Sequence, residues 1–469
     1  KDPHVRRLVE HMSVEEINGL KRGGHDLRKL HAAFAAAKAC KGRPTVILAQ
    51  TTKGYGMGAS GQGANTSHQT KKLAHDDLRH FRERFGLPLS DDDLDNARLY
   101  HPGEDSPEVR YLQQRRSALG GYLPQRRQQA TPLAPATPDL YTSFHADSGE
   151  RTISTTMSFV RLLTKLMRDS TLGARVVPIV ADEARTFGMQ DMFRQFGIYS
   201  PWGQRYTPQD SEQLAFYRED IKGQILEEGI SEAGSMGSWI AAGTAWSHSN
   251  QPMLPCYIFY SMFGFQRVAD LVWNAADCQA RGFLLGATSG RTTLSGEGLQ
   301  HEDGQSQVYA ATIPTCRAYD PAFSYEVAVI AEDGVRRMMT DNEHCFYYVT
   351  LYNENYTHPS MPAGAEEGIR RGIYLLRPAP QSDKPRVQLI GSGSILRLVL
   401  AAADLLETRF GVAVDVWSAT SFGELRKDGI ACDRWNLLHP AEPPRTPYVT
   451  EQLASRSGPV IGVSDFMRA

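Results

Sequence analysis

The chain has 469 residues, 51 Lys plus Arg against 53 Asp plus Glu, and a net charge of -2. At about 100–200 residues per domain, this length gives two to four domains that can each bury a core without disulfides. The balanced charge excludes the basic footprint of a nucleic-acid or membrane binder, and Cys40, Cys256, Cys278, Cys316, Cys345 and Cys432, without a C-x-x-C spacing, read as reduced cytosolic thiols. No run of 18 apolar residues appears, and the start KDPHVRRLVE has no apolar signal-peptide region. Its first residue is Lys rather than Met, which points to a partial polypeptide.

In chain order, DLRKLHAAFAAAKAC has a helical pattern and PTVILAQTT reads as a strand. GYGMGASGQGANTSHQTKK follows, with G-x-G-x-x-G at Gly56, Gly58 and Gly61. A dinucleotide fingerprint needs a helix that begins inside the motif, and this stretch has no apolar period; a P-loop pattern is absent. Two readings stay open: a mobile surface loop, or a lid closing with His68 as a proton-transfer group beside Asn65, Lys71 and Lys72. LAHDDLRHFRERFG predicts a polar helix, and residues 91–150, polar and proline-bearing, predict an extended connection. From MSFVRLLTKLM onward, ARVVPIVADEA, MLPCYIFYSMF, GFLLGATSG and FYYVTLYN alternate with helical segments, the pattern of a parallel sheet covered on both faces. Beyond LLRPAPQSDKP, the stretch from VQLIGSGS to VAVDVWSAT reads as strand, plain glycine turn, helix and strand.

Four places concentrate chemistry. Asp182, Glu183 and Arg185 end an apolar strand, where open sheets place ligands, although a surface ion pair explains them equally well. Glu232 is a single acid entering a small and apolar segment, so it is either a buried carboxylate in need of a partner or a capping acid near Ser231. Tyr260, Phe263, Phe265 and Arg267 offer surface for a flat heterocycle, with core packing as the alternative. Arg291, Glu297, His301, Glu302 and Asp303 crowd a glycine-rich loop, a cluster that packing alone explains poorly; without a second nearby His it is weak for zinc.

The blocks KGYGMG, NTSHQTKK, VPIVADEARTFGM, YTPQDSEQ, GQILEEGISEAGSMGSW, YIFYSMFGFQR, GATSGRTTLSGEGLQHEDG, DPAFSYEVAVI and YYVTLYNENY resemble the homodimeric pyruvate dehydrogenases of bacteria. The resemblance covers nearly the whole chain. It implies an α/β, transketolase-like thiamine-diphosphate-binding fold, with parallel sheets flanked by helices in several domains. Residues 1–130 would be the C-terminal part of the diphosphate-binding domain plus a linker, 131–375 the pyrimidine-binding domain, and 376–469 the first half of a transketolase C-terminal-like domain. The implied activity is oxidative decarboxylation of pyruvate with reductive acetylation of the lipoyl domains of a dihydrolipoyl acetyltransferase core. It would be carried out in the cytoplasm by a homodimer using thiamine diphosphate and magnesium.

Position by position, Glu232 resembles the glutamate that hydrogen-bonds the cofactor pyrimidine, Phe263 the residue packing on that ring, and Tyr260 a lining residue of the same pocket. His301 resembles a histidine near the substrate, and His68 the lid histidine associated with acetyl transfer; Lys53 and Asn65 would help to order the lid, and Asp182 and Glu183 would line the approach. Two departures stand out. Gln305 replaces a usual His, and the family's Gly-Asp-Gly…Asn magnesium motif occurs nowhere, so metal ligands are expected upstream of Lys1. The chain therefore reads as an internal portion of a longer enzyme. A non-catalytic remnant or assembly subunit, or a related 2-oxo acid or transketolase-type enzyme, is the alternative.

Overall fold

The computed structural model describes residues 2–20, 23–122, 126–181, 184–209, 217–294 and 297–468. Its contacts divide the chain into two compact units, Lys1–Leu123 and Pro124–Ala469.

The first unit is helical. Asp26 caps α1 (Leu27–Ala39) by accepting from the Arg28 and Lys29 amides, and α2 (His75–Phe85) ends at Gly86 in the left-handed conformation. A further helix, α3 (Pro107–Ala118), begins with Ser106 as cap and Pro at its first position. It interrupts the stretch expected to be an extended connection. The expected strand PTVILAQTT is also corrected: residues 44–52 run without pairing, and Val46 and Leu48 are 82% and 92% exposed. A strand exists only through its ladder partners, and the described residues of this unit contain no other strand. No helix opens inside the glycine motif; Gly58–Ser60 and Asn65–His68 form only short 3-10 turns.

The second unit is built on a six-stranded parallel sheet. Its strands are β1 (Val176–Val180), β2 (Leu226–Glu227), β3 (Leu254–Tyr260), β4 (Phe283–Ala287), β5 (Cys316–Tyr319) and β6 (Phe346–Thr350), in the order β2-β1-β3-β4-β6-β5. The central strands FLLGA and FYYVT are buried at every position, as expected of strands covered on both faces. Flanking helices include α4 (Thr155–Arg168), α5 (Glu232–Ser249), α6 (Phe265–Asp277), α7 (Ser306–Ala311) and α8 (Ser324–Val335). Helix α8 is buried everywhere except Glu332, because a second sheet lies beyond it.

That sheet contains β7 (Tyr374–Arg377), β8 (Arg386–Gly391), β9 (Ala413–Ser418) and β10 (Val460–Val463), ordered β10-β8-β9-β7. Strands β8, β9 and β10 are parallel and β7 is antiparallel; α9 (Ile395–Arg409) crosses from β8 to β9, as the strand–turn–helix–strand reading requires. The two sheets share one apolar cluster that reaches from Val176 to Val416. Buried Glu326 on α8 ties them by accepting from Tyr374 at 2.7 Å and Ser418 at 2.6 Å. The outer strand β10 is exposed at all of its positions.

Candidate functional site

Tyr260 ends β3, so its side chain emerges at the carboxyl edge of the parallel sheet, where such sheets collect chemistry. The chain then makes a short 3-10 turn, Ser261–Phe263, before entering α6. Gly264 permits this turn to lie flat against the sheet, since a Cβ there would fall 2.1 Å from the Phe259 ring. Helix α5 begins nearby. Its cap is Ser231, which accepts from the Gly234 amide at 3.2 Å, and this leaves the carboxylate of Glu232 free to reach across to α6.

There Arg267 Nη1 donates to Glu232 Oε1 at 2.5 Å, and the Glu232 side chain is only 15% exposed. The same guanidinium lies 4.3 Å from the centroid of Phe263, a cation–π contact. Phe263 and Tyr260 each stand 5.2 Å from the ring of His301, and buried Phe187 packs on Tyr260 at 5.3 Å. Glu232, Phe263, Tyr260 and His301, expected from the sequence to act together, are thus gathered into one cluster.

His301 ends a short 3-10 turn, and its Nδ1 lies 3.1 Å from the Glu297 carbonyl. A carbonyl can only accept, so Nδ1 carries the proton, and in the neutral ring Nε2 is left as the acceptor. The rest of the expected polar cluster separates from it. Asp303 is buried and accepts from the Gln305 amide at 3.0 Å and the Ser306 amide at 2.9 Å, which begins α7. Arg291 Nε donates to the Asp465 carbonyl at 2.8 Å, and Asp465 Oδ2 accepts from the Arg291 and Thr292 amides. These two residues hold backbone in place. Gln305, at the departure from the family pattern, accepts from the Gly304 amide at 3.0 Å.

Lys53, Asn65 and His68 belong to the first unit and are exposed there. Asp182 and Glu183 lie outside the described residues. Among the described residues, no group of three or more His, Cys, Asp or Glu could hold a metal ion, and no helix is long and apolar enough to cross a membrane. Sequence reasoning gave Arg267 no partner and passed over Phe187. Helical spacing gave no signal for the first, because Phe263 lies in the turn before α6 and Glu232 on another helix.

Three family models match: "Transketolase, thiamine diphosphate binding domain" over residues 14–93, "Pyruvate dehydrogenase E1 component middle domain" over 136–359, and "Transketolase-like TK C-terminal domain" over 372–469. A curated relative named pyruvate dehydrogenase E1 component, from Pseudomonas aeruginosa, is 55% identical over 466 residues, 99% of this chain and 53% of that protein. Proteins of the same name from Escherichia coli K12 and Mycobacterium tuberculosis are 52% and 50% identical over the whole chain, which covers 52% and 51% of their lengths. Among solved structures, transketolase from Campylobacter jejuni superposes with a TM-score of 0.62 at 18% identity, covering 94% of this chain and 59% of the other. Transketolase from Leishmania mexicana does so with a TM-score of 0.63 at 17% identity, covering 98% and 62%. These likenesses give the fold, a transketolase-like α/β architecture. Spanning about half the length of the curated relatives it matches, the chain belongs to the pyruvate dehydrogenase E1 component family.

Proposed function

We propose that the chain forms part of a thiamine-diphosphate site for oxidative decarboxylation of pyruvate, with the acetyl group passed to a lipoyl group of a dihydrolipoyl acetyltransferase. The arrangement of Glu232, Arg267 and Phe263 carries this reading. A planar, N–H-bearing guanidinium lies over Phe263 and donates to Glu232. An aminopyrimidine ring requires the same two contacts, a flat aromatic face and a carboxylate acceptor, so the residues present fit the group. Thiamine diphosphate would supply the carbon nucleophile and the electron sink that decarboxylation needs.

The chain's own residues have separate tasks. Glu232 would accept a hydrogen bond from a ring nitrogen of the bound group, in place of Arg267, and could hold or move a proton there. Phe263 fixes the plane of the ring, while Tyr260 and Phe187 exclude water from the sheet side of the pocket. His301 Nε2 faces the reacting group as an acid or base, its orientation set by the Glu297 carbonyl. In the first unit, the glycine-rich segment is a lid: Lys53 and Asn65 order it and His68 serves the acetyl-transfer step. Asp182 and Glu183 line the approach. The reading also includes magnesium at the diphosphate, a cytoplasmic homodimer, and a division into domains at residues 1–130, 131–375 and 376–469.

Calorimetric titration of the whole polypeptide that carries these residues, with thiamine diphosphate and magnesium, tests the proposal. Glu232→Gln should weaken binding and lower pyruvate turnover by about 100–10,000-fold, the range for a positioned proton-transfer group. A folded wild-type polypeptide that takes up no thiamine diphosphate would sink the reading in favour of a non-catalytic subunit.

A further inference from the structure

The glycine-rich segment is not loosely hung. Residues 44–52 have no ladder, and among the described residues two hydrogen bonds attach this run to the turn Gly23–His25. In the first, the Gly24 amide donates to the Gln50 carbonyl at 3.0 Å. Only glycine allows this approach, since a Cβ at position 24 would lie 2.4 Å from that oxygen. In the second, His25 Nε2 accepts from the Thr52 amide at 2.6 Å.

The His25 ring also stacks on Tyr55, with centroids 3.8 Å apart and planes 7° from parallel. Arg84 of α2 lies 4.6 Å from the Tyr55 ring and donates to Gln62 Oε1, which also accepts from the Gly56 amide at 3.0 Å. Between these anchors the Lys53 carbonyl accepts from the Gly63 amide at 2.8 Å and closes the neck of the loop.

We infer that neutral His25 is a positioning residue, pinning the root of the glycine-rich lid through the Thr52 amide and so fixing where Lys53 and the loop beyond it begin. An amide can only donate, so Nε2 must be free of a proton and the ring's hydrogen sits on Nδ1. Acceptor and stack are separable functions of one side chain. The inference rests on the lid reading proposed above for its catalytic consequence, and on geometry alone for the pinning.

Two variants in the whole polypeptide separate them. His25→Phe keeps a flat ring against Tyr55 and removes the acceptor; His25→Gln keeps an acceptor of similar reach and removes the ring. Hydrogen exchange of residues 50–63 should speed up by about fivefold or more in the Phe variant, as loss of one net hydrogen bond implies, and stay near wild type in the Gln variant. Acetyl transfer should fall in kcat with Phe and recover with Gln, with KM for pyruvate unchanged in both. Equal exchange in all three proteins, or a Gln variant that exchanges like Phe, overturns the inference. Should the polypeptide lack pyruvate dehydrogenase activity altogether, the exchange difference would persist while the proposed function failed; normal wild-type activity without that difference would remove only the role of His25.

Discussion

Thr52 and Tyr260 both stand at the end of an apolar run, yet the two runs are held by different physics. LPCYIFY is β3, paired along its length with β1 on one side and β4 on the other, and only Tyr260 at its tip is less than fully buried. TVILAQTT has the composition of such a strand but no ladder, and it is kept in place by Gly24 and His25. A residue at the end of a paired strand inherits the stability of the sheet. A residue at the end of an unpaired run is only as fixed as its few local contacts, so opening there costs far less than global unfolding. This contrast suits the proposed division of labour, with a rigid pocket around Glu232 and a segment that must move around His68.

The contrast can be tested by substitution. Trp239→Ala, which empties the fully buried space between α5 and the sheet and removes a 3.0 Å bond to the Phe283 carbonyl, should cost about 3–5 kcal/mol in denaturant unfolding of the second unit. A loss below 1 kcal/mol would mean that this unit is as loosely held as the first.

Acid should also act unevenly. Burial depresses His358 to about 4 from an ordinary 6.5, and its Nδ1 accepts from the Ser324 amide at 3.0 Å. Below about pH 6.5 the unfolded chain takes up a proton that the folded one refuses, so stability falls as pH drops toward 4, by on the order of 2–3 kcal/mol. Asp320, raised by burial to about 6 from 3.8, works in the opposite sense across that window, because the folded state takes its proton first. The comparison is therefore wild type against His358→Asn. Thermal midpoints between pH 7.5 and 4.5 should decline less steeply in the variant, and parallel declines would remove His358 as a cause. At the other extreme, Leu48→Ser should change stability by less than about 0.5 kcal/mol, because the side chain is almost wholly in solvent. A larger loss would show that the run 44–52 is buried against something.

Regular, tightly packed parts of the molecule were legible in advance. Apolar runs at strand length, separated by helical patterns, pointed to the parallel six-stranded sheet, because burial on two faces leaves no polar alternation in the sequence, and to the β8-α9-β9 unit of the second sheet; the antiparallel β7 left no such mark. Glu232, Tyr260, Phe263 and His301 could be grouped through family resemblance; the residues alone left Glu232 with a capping explanation and Tyr260 and Phe263 with a packing one, and set His301 in a polar cluster of no assigned role. PTVILAQTT failed because pairing is a property of neighbours and not of the run itself. Helix α3 was hidden by its polarity, although Ser106 followed by Pro107 is a helix-start signal that could have been read. Asp303 looked chemical because it is charged and flanked by His301 and Glu302. Its spacing to Ser306 is that of a residue that bonds the amides of an incoming helix turn.

Strand β10 has a consequence for handling. VIGV is the outer strand of its sheet, with Val460, Ile461 and Val463 at 45%, 51% and 41% exposure, and it carries no charge, proline or bulge to discourage another strand from adding to it. In a tube of this 469-residue chain, that edge is a template for assembly between copies. Turbidity should rise with concentration and with time at fixed temperature, and a single lysine in place of Ile461 should keep the solution clear.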